Sequence, residues 1–202
     1  INPLFPVANS GMFDGRAVIA LMITGVISGL GAVIYVKWLE RCAELSGKIK
    51  SSLLRGLICI VLLTVIGSFA PQVLGLGSEA IKQMLTGNIF IVTLLILLVS
   101  KVALTGINLG FGYFGGIFSP ALFVGAAIGA VIAQIALGLN FSGINSTEVL
   151  VIAGAGALVA ATIGGPLSAI FIVFEMTQNH TIATQVMISV VFSCLVYRRF
   201  MK

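Results

Sequence analysis

Gly106-Ile107-Asn108-Leu109-Gly110-Phe111-Gly112-Tyr113-Phe114-Gly115-Gly116-Ile117-Phe118-Ser119-Pro120 is the stretch on which the architecture turns. Gly106, Gly110, Gly112, Gly115 and Gly116 crowd eleven residues, and each disfavours a helix by about 1 kcal/mol relative to alanine. The pattern predicts a break between two apolar helices, Ile89–Thr105 before it and Ala121–Leu139 after it. Pro120, which lacks an N–H, suits the first turn of the second helix.

The surrounding composition decides the solvent. Of 202 residues, 59% are hydrophobic and 8% are charged, where an ordinary soluble domain carries about a quarter charged. Such a chain belongs in a lipid bilayer, and the expected fold is an all-α integral membrane bundle of tilted, partly broken transmembrane helices. The net charge is +5, but the basic residues form no stripe with interleaved aromatics, so nucleic acid is not an expected partner. Lys37, Arg41, Lys48, Lys50 and Arg55 instead fall between two apolar runs, and Arg198, Arg199 and Lys202 lie at the C-terminus. The positive-inside rule then puts the 37–55 connection and the C-terminus on the cytoplasmic face of a plasma or inner membrane.

Apolar runs of about 20 residues are long enough to cross. Ala17–Val36 is one such span, with Asp14 as its expected N-cap and Gly25, Gly29 and Gly31 as a small-residue face. Leu53–Ala70, closed by Pro71, is another. Gly75 to Gly87 is interfacial in character, and Ser78–Leu85 within it reads as a short helix capped by Ser78. Thr147–Ile163 and Leu167–Glu175 flank a second break at Gly164-Gly165-Pro166, and Thr181–Tyr197 is a last run. No long linker divides the chain, so residues 1–202 are read as one membrane domain. Ile1 in place of Met suggests a piece of a longer protein.

Unwound backbone in a bilayer persists only where protein, water or a ligand satisfies its polar groups. At Gly115–Pro120 the polarity of such a ligand follows from the helix that starts there. Its first turn presents free N–H groups and about half a positive charge, an anion-binding arrangement. The amides of Ile117, Phe118 and Ser119 are the natural donors, with Gly115 and Gly116 letting the backbone approach the ion. Partial charges of this kind replace hydration without trapping the ion. The residues alone leave a second reading open: a non-conducting scaffold in which the glycines serve only helix packing.

Gly116-Ile117-Phe118-Ser119-Pro120, preceded by Gly115, resembles the Gly-x-Phe-x-Pro signature of the CLC chloride channels and chloride/proton antiporters. Ala153-Gly154-Ala155-Gly156-Ala157-Leu158, Ala160-Ala161-Thr162, Gly165-Pro166-Leu167 and Phe174-Glu175-Met176-Thr177 resemble the family's next region, in order and spacing. The resemblance implies one half of an inverted repeat, the second half of the membrane domain, with chloride as the transported ion and no cofactor or metal. Fluoride and nitrate remain alternatives to chloride. By resemblance, Gly116, Ile117, Phe118 and Ser119 form the anion site, Ser119 standing where alanine is common. The family's Gly-Ser-Gly-x-Pro and Gly-Lys/Arg-Glu-Gly-Pro loops do not occur in these residues. The missing first half, a last helix and a second copy packed through Leu167–Tyr197 are therefore the expected partners, and residues 1–202 alone should not conduct.

Other polar residues have simpler expectations. Lys101 stands inside an apolar run, where a lysine is by default functional; the resemblance implies a place at the pore entrance, attracting anions, and snorkelling to a headgroup is the alternative. Glu148 is read as a loop residue, Glu175 as a helix-end residue and His180 as a loop residue. With Asp14 the single aspartate and His180 the single histidine, no catalytic triad or hydrolytic carboxylate pair assembles, and an enzyme is not expected. Cys42, Cys59 and Cys194 have no metal or redox spacing and act as small hydrophobes.

Overall fold

A computed structural model describes residues 5, 15–113, 115–138 and 147–201. Its described residues form eight α-helices and no strand: α1 (Gly15–Gly47), α2 (Ser52–Phe69), α3 (Ser78–Leu85), α4 (Ile91–Gly110), α5 (Phe118–Gly138), α6 (Thr147–Ile163), α7 (Pro166–Thr177) and α8 (His180–Phe200). A short 3-10 turn, Pro71–Val73, lies between α2 and α3. Five of the helices, α1, α2, α4, α5 and α8, are long and apolar enough to cross a membrane. The expected all-α membrane bundle is the fold observed.

Burial sorts the helices more sharply than length does. In α6 every residue from Val149 to Ala161 is buried, as required of a helix that is apolar all round. It is the central strut, packed against α5, α1, α7 and α8. At the other extreme only Cys59 and Gly67 of α2 are buried, leaving Leu53, Leu57, Ile60, Val61 and Phe69 facing outward.

Small residues set the helix spacing, because lipid provides no hydrophobic drive for helices to associate and close backbone contact must do so. A Cβ added at Gly125 would strike the backbone of Gly154 and Ala155, and one at Gly129 the backbone of Leu150 and Val151. Across α1 and α8, Gly25 abuts the Ser189 backbone and Gly29 that of Ser193. Ser189 Oγ donates to the Leu21 carbonyl at 2.7 Å, and Ser193 Oγ to the Ala157 carbonyl of α6 at 2.8 Å. Because residue numbers rise together along this contact, α1 and α8 run parallel. Their C-terminal ends therefore lie on the same side of the bundle.

Several boundaries differ from the sequence expectation. Asp14, the expected N-cap of α1, lies outside the described residues. The 37–55 connection is mostly helix: α1 runs on to Gly47, because Tyr35, Cys42 and Ser46 recur at helical spacing and are buried. The true connection is residues 48–51, where Ser51 caps α2 by accepting from the Leu54 amide at 3.4 Å. Ser78 is the first residue of α3 rather than its cap; Gly77, in the left-handed region at φ 73°, holds the cap position. Glu148 lies in the first turn of α6, not in a loop, where a carboxylate complements the helix dipole. His180 opens α8, its ring 4.6 Å from that of Phe174.

The largest departure is in the glycine-rich stretch. Gly106 and Gly110 do not belong to the break; α4 continues through both. A side chain at Gly106 would overlap Trp38, and one at Gly110 would overlap Cys42 and the Ala43 backbone of α1. These two glycines form a Gly-x-x-x-Gly packing face, and Cys42 acts as the small hydrophobe that fills it. Among the described residues the break is confined to 111–113 and 115–117.

Candidate functional site

The shortened break begins where α4 stops. Phe111 and Gly112 donate to the carbonyls of Ile107 and Leu109 at 2.9 and 3.1 Å, closing the helix end. Gly112 then takes φ 88°, a value that L side chains rarely adopt, and the chain turns back toward α5.

The α5 helix opens at Phe118, two residues earlier than Pro120 alone suggested. Ile117 is its cap: the Ile117 carbonyl accepts from the Ala121 amide at 3.1 Å. The amides of Ile117, Phe118 and Ser119 precede any intrahelical acceptor, and Pro120 has no N–H to offer. Gly115, Gly116 and Ile117 are exposed, Ile117 at 42%. A Cβ at Gly116 would meet nothing within 4 Å. The break is thus a run of open backbone at the positive end of a 21-residue helix, an arrangement able to bind a small anion.

It opens on a cleft of about 400 Å³ whose lining includes Lys101, Thr105, Asn108, Tyr113, Gly115, Gly116 and Pro120, with α2 supplying Cys59, Ile60 and Leu63. Lys101 and Gly116, fifteen positions apart in sequence, therefore share one wall. Snorkelling is not what Lys101 does. It is 4% exposed, and its Nζ donates to the carbonyls of Val73 at 2.7 Å and Gly75 at 2.8 Å. It also stands 5.2 Å from the centre of the Phe123 ring of α5, within range of a cation–π contact.

Ser119 has a partner of its own: its Oγ donates to the Leu76 carbonyl at 3.2 Å. The connection between α2 and α3 was not foreseen as part of this region. Its signal in the sequence was the pair Gly75 and Gly77, which take φ 64° and 73° and let the backbone present carbonyls toward α4 and α5. Glu175 is the third residue from the end of α7, as expected, and is remote in sequence from the cleft lining. Among the described residues, no group of three or more His, Cys, Asp or Glu side chains is placed to hold a metal.

Comparison with known proteins bears on the chain's family and fold. A family model described as voltage gated chloride channel matches residues 1–198. Among solved structures, the chain is similar to a slow cyanobacterial Cl−/H+ antiporter at 25% identity and a TM-score of 0.85, covering 97% of this chain and 47% of that one. It is also similar in fold to a eukaryotic CLC transporter, at 19% identity and a TM-score of 0.68, covering 94% of this chain and 34% of that one. The chain therefore spans about half the length of the first of these structures and a third of the second. With a match that runs through both glycine-proline breaks and all eight helices, this chain belongs to the voltage gated chloride channel family.

Proposed function

We propose that this chain forms one wall of an anion pathway in a chloride channel or chloride/proton antiporter. The amides of Ile117 and Phe118 are the ion's ligands, with Gly116 and Ser119 in the supporting backbone. One observation carries the reading: α5 begins, after an open glycine backbone, with three amides that have no intrahelical acceptor, and that backbone lines a cleft shared with Lys101. Chloride is the ion the family's description favours over fluoride or nitrate. Lys101, on the same wall, adds positive potential that raises the local anion concentration.

A pathway needs a facing wall, which the resemblance assigns to the first half of the same membrane domain. Vesicles holding residues 1–202 alone are accordingly expected to carry no anion flux. The parallel packing of α1 and α8 supports a common cytoplasmic side for the 48–51 connection and the C-terminus, because Arg198 and Arg199 in the last turn of α8 lie on the same side as Lys48 and Lys50. The outward-facing Leu167, Phe171, Val191 and Leu195 of α7 and α8 support the Leu167–Tyr197 region as the contact with a second copy.

The test is bromide replacement of chloride in crystals of the intact protein. An anomalous peak beside the Ile117 and Phe118 nitrogens is expected. Ordered bromide elsewhere in the pathway, with none at these amides, would rule the assignment out.

A further inference from the structure

The contacts of Lys101 link three segments rather than two. The carbonyls it holds, those of Val73 and Gly75, belong to the connection from α2 to α3, which has only one short 3-10 turn of its own. One residue further on, the Leu76 carbonyl accepts from Ser119 Oγ in the first turn of α5. Gly77 follows, pressed so closely on Phe123 that an added Cβ would lie 2.5 Å from the ring. Phe123 in turn is the ring beneath Lys101 Nζ. The contacts close a loop running from α4 through residues 73–77 to the first turns of α5 and back.

We propose that Lys101 is a positioning residue for the anion site. By fastening residues 73–77 to α4, it presents the Leu76 carbonyl to Ser119 and so fixes the orientation of the α5 first turn. This rests on the reading of Ile117–Ser119 as the anion contact, and goes beyond it in giving the buried lysine a mechanical task separate from its charge. The two tasks are separable. A charge acting across the cleft is screened by salt; a hydrogen-bonded fastening to two carbonyls by a lysine that is itself 4% exposed is screened much less. A fastening that works through Ser119 also makes the two residues interdependent, which independent sites are not.

The experiment is a double-mutant cycle in the intact protein, with Lys101→Met, Ser119→Ala and the pair. Chloride affinity is read by calorimetry and amide exchange of residues 73–77 by mass spectrometry. Lys101→Met and Ser119→Ala are each expected to weaken chloride binding by about threefold or more, the worth of one net hydrogen bond. The pair should be no worse than Lys101→Met alone. Lys101→Met should also speed exchange across 73–77, and its loss of affinity should persist in sodium gluconate at about 1 M, where the Debye length is about 3 Å. Additive losses would overturn the proposal, as would a Lys101→Met defect that vanishes in high salt with exchange at 73–77 unchanged. If Lys101→Met does not assemble, Lys101→Leu, which likewise has no donor, goes through the same cycle with the same criteria. Absence of chloride binding in the unsubstituted protein would sink the anion reading itself, and this inference with it; binding with additive variants sinks only the fastening.

Discussion

Along the seam between α5 and α6, a side chain at Gly125, Gly129 or Gly154 would run into the backbone of the opposite helix, whereas at Gly112 or Gly116 it would meet nothing within 4 Å. The same residue type is used for opposite ends. In the seam, the missing side chain brings two helices into backbone contact, and the backbone polar groups are consumed within each helix. In the break, the missing side chain leaves the backbone uncovered, and the amides at the start of α5 have no intrahelical partner. Glycine density cannot tell these uses apart; the presence or absence of a neighbour does.

Substitutions that add atoms should therefore separate the two regions. The largest effect is expected for Gly129→Leu, which forces a side chain into the Leu150 backbone. It should destabilise the protein by roughly 3 kcal/mol or more, read as loss of the monodisperse species in detergent or a lowered Tm. Mild behaviour there would mean that the seam is not in backbone contact. Gly116→Ala is the converse: stability should stay within about 0.5 kcal/mol, while the added methyl crowds the approach of the ion and lowers chloride flux by about tenfold, or about 1.4 kcal/mol. A variant with unchanged flux would argue that Gly116 is open for no functional reason.

Gly164, at the second break, sharpens the contrast, since it has open space around it but φ 75°. Gly164→Ala should cost about 1 kcal/mol through backbone strain alone, visible in thermal unfolding and without effect on anion affinity. The smallest change belongs to Ser193→Ala, which removes the hydrogen bond to the Ala157 carbonyl. Interhelical bonds of this kind contribute about 0.6 kcal/mol in a membrane, so a difference detectable in Tm but not in transport is expected.

The same contrast explains what could be read from the sequence. Thr147–Ile163 matches α6 at both ends, because a polar, capping-type start and a Gly-Gly-Pro stop bracket an unbroken apolar run. The position of the break was legible from Gly115, Gly116 and Pro120, and its chemistry from the helix that had to start there. Gly106 and Gly110 were assigned to it wrongly, since their role depends on Trp38 and Cys42, more than sixty residues away in sequence. The extension of α1 to Gly47 was missed because Lys37, Glu40, Arg41 and Glu44 look like a loop between spans, although such residues are also good helix formers at a membrane surface. Lys101 was recognisable as a residue of interest. Its partners were not, because backbone carbonyls at Val73 and Gly75 carry no side-chain signature.

The central claim is that the amides opening α5 are bare in order to hold an anion, and hydrogen exchange at Ile117, Phe118 and Ser119 of the intact protein tests it most directly. With chloride replacing gluconate at constant ionic strength, the Ile117 and Phe118 amides should be protected by about tenfold or more once the site is nearly filled, while the α5–α6 seam is unchanged. Equal exchange at these two amides with and without chloride would contradict the account and leave the break as a packing joint.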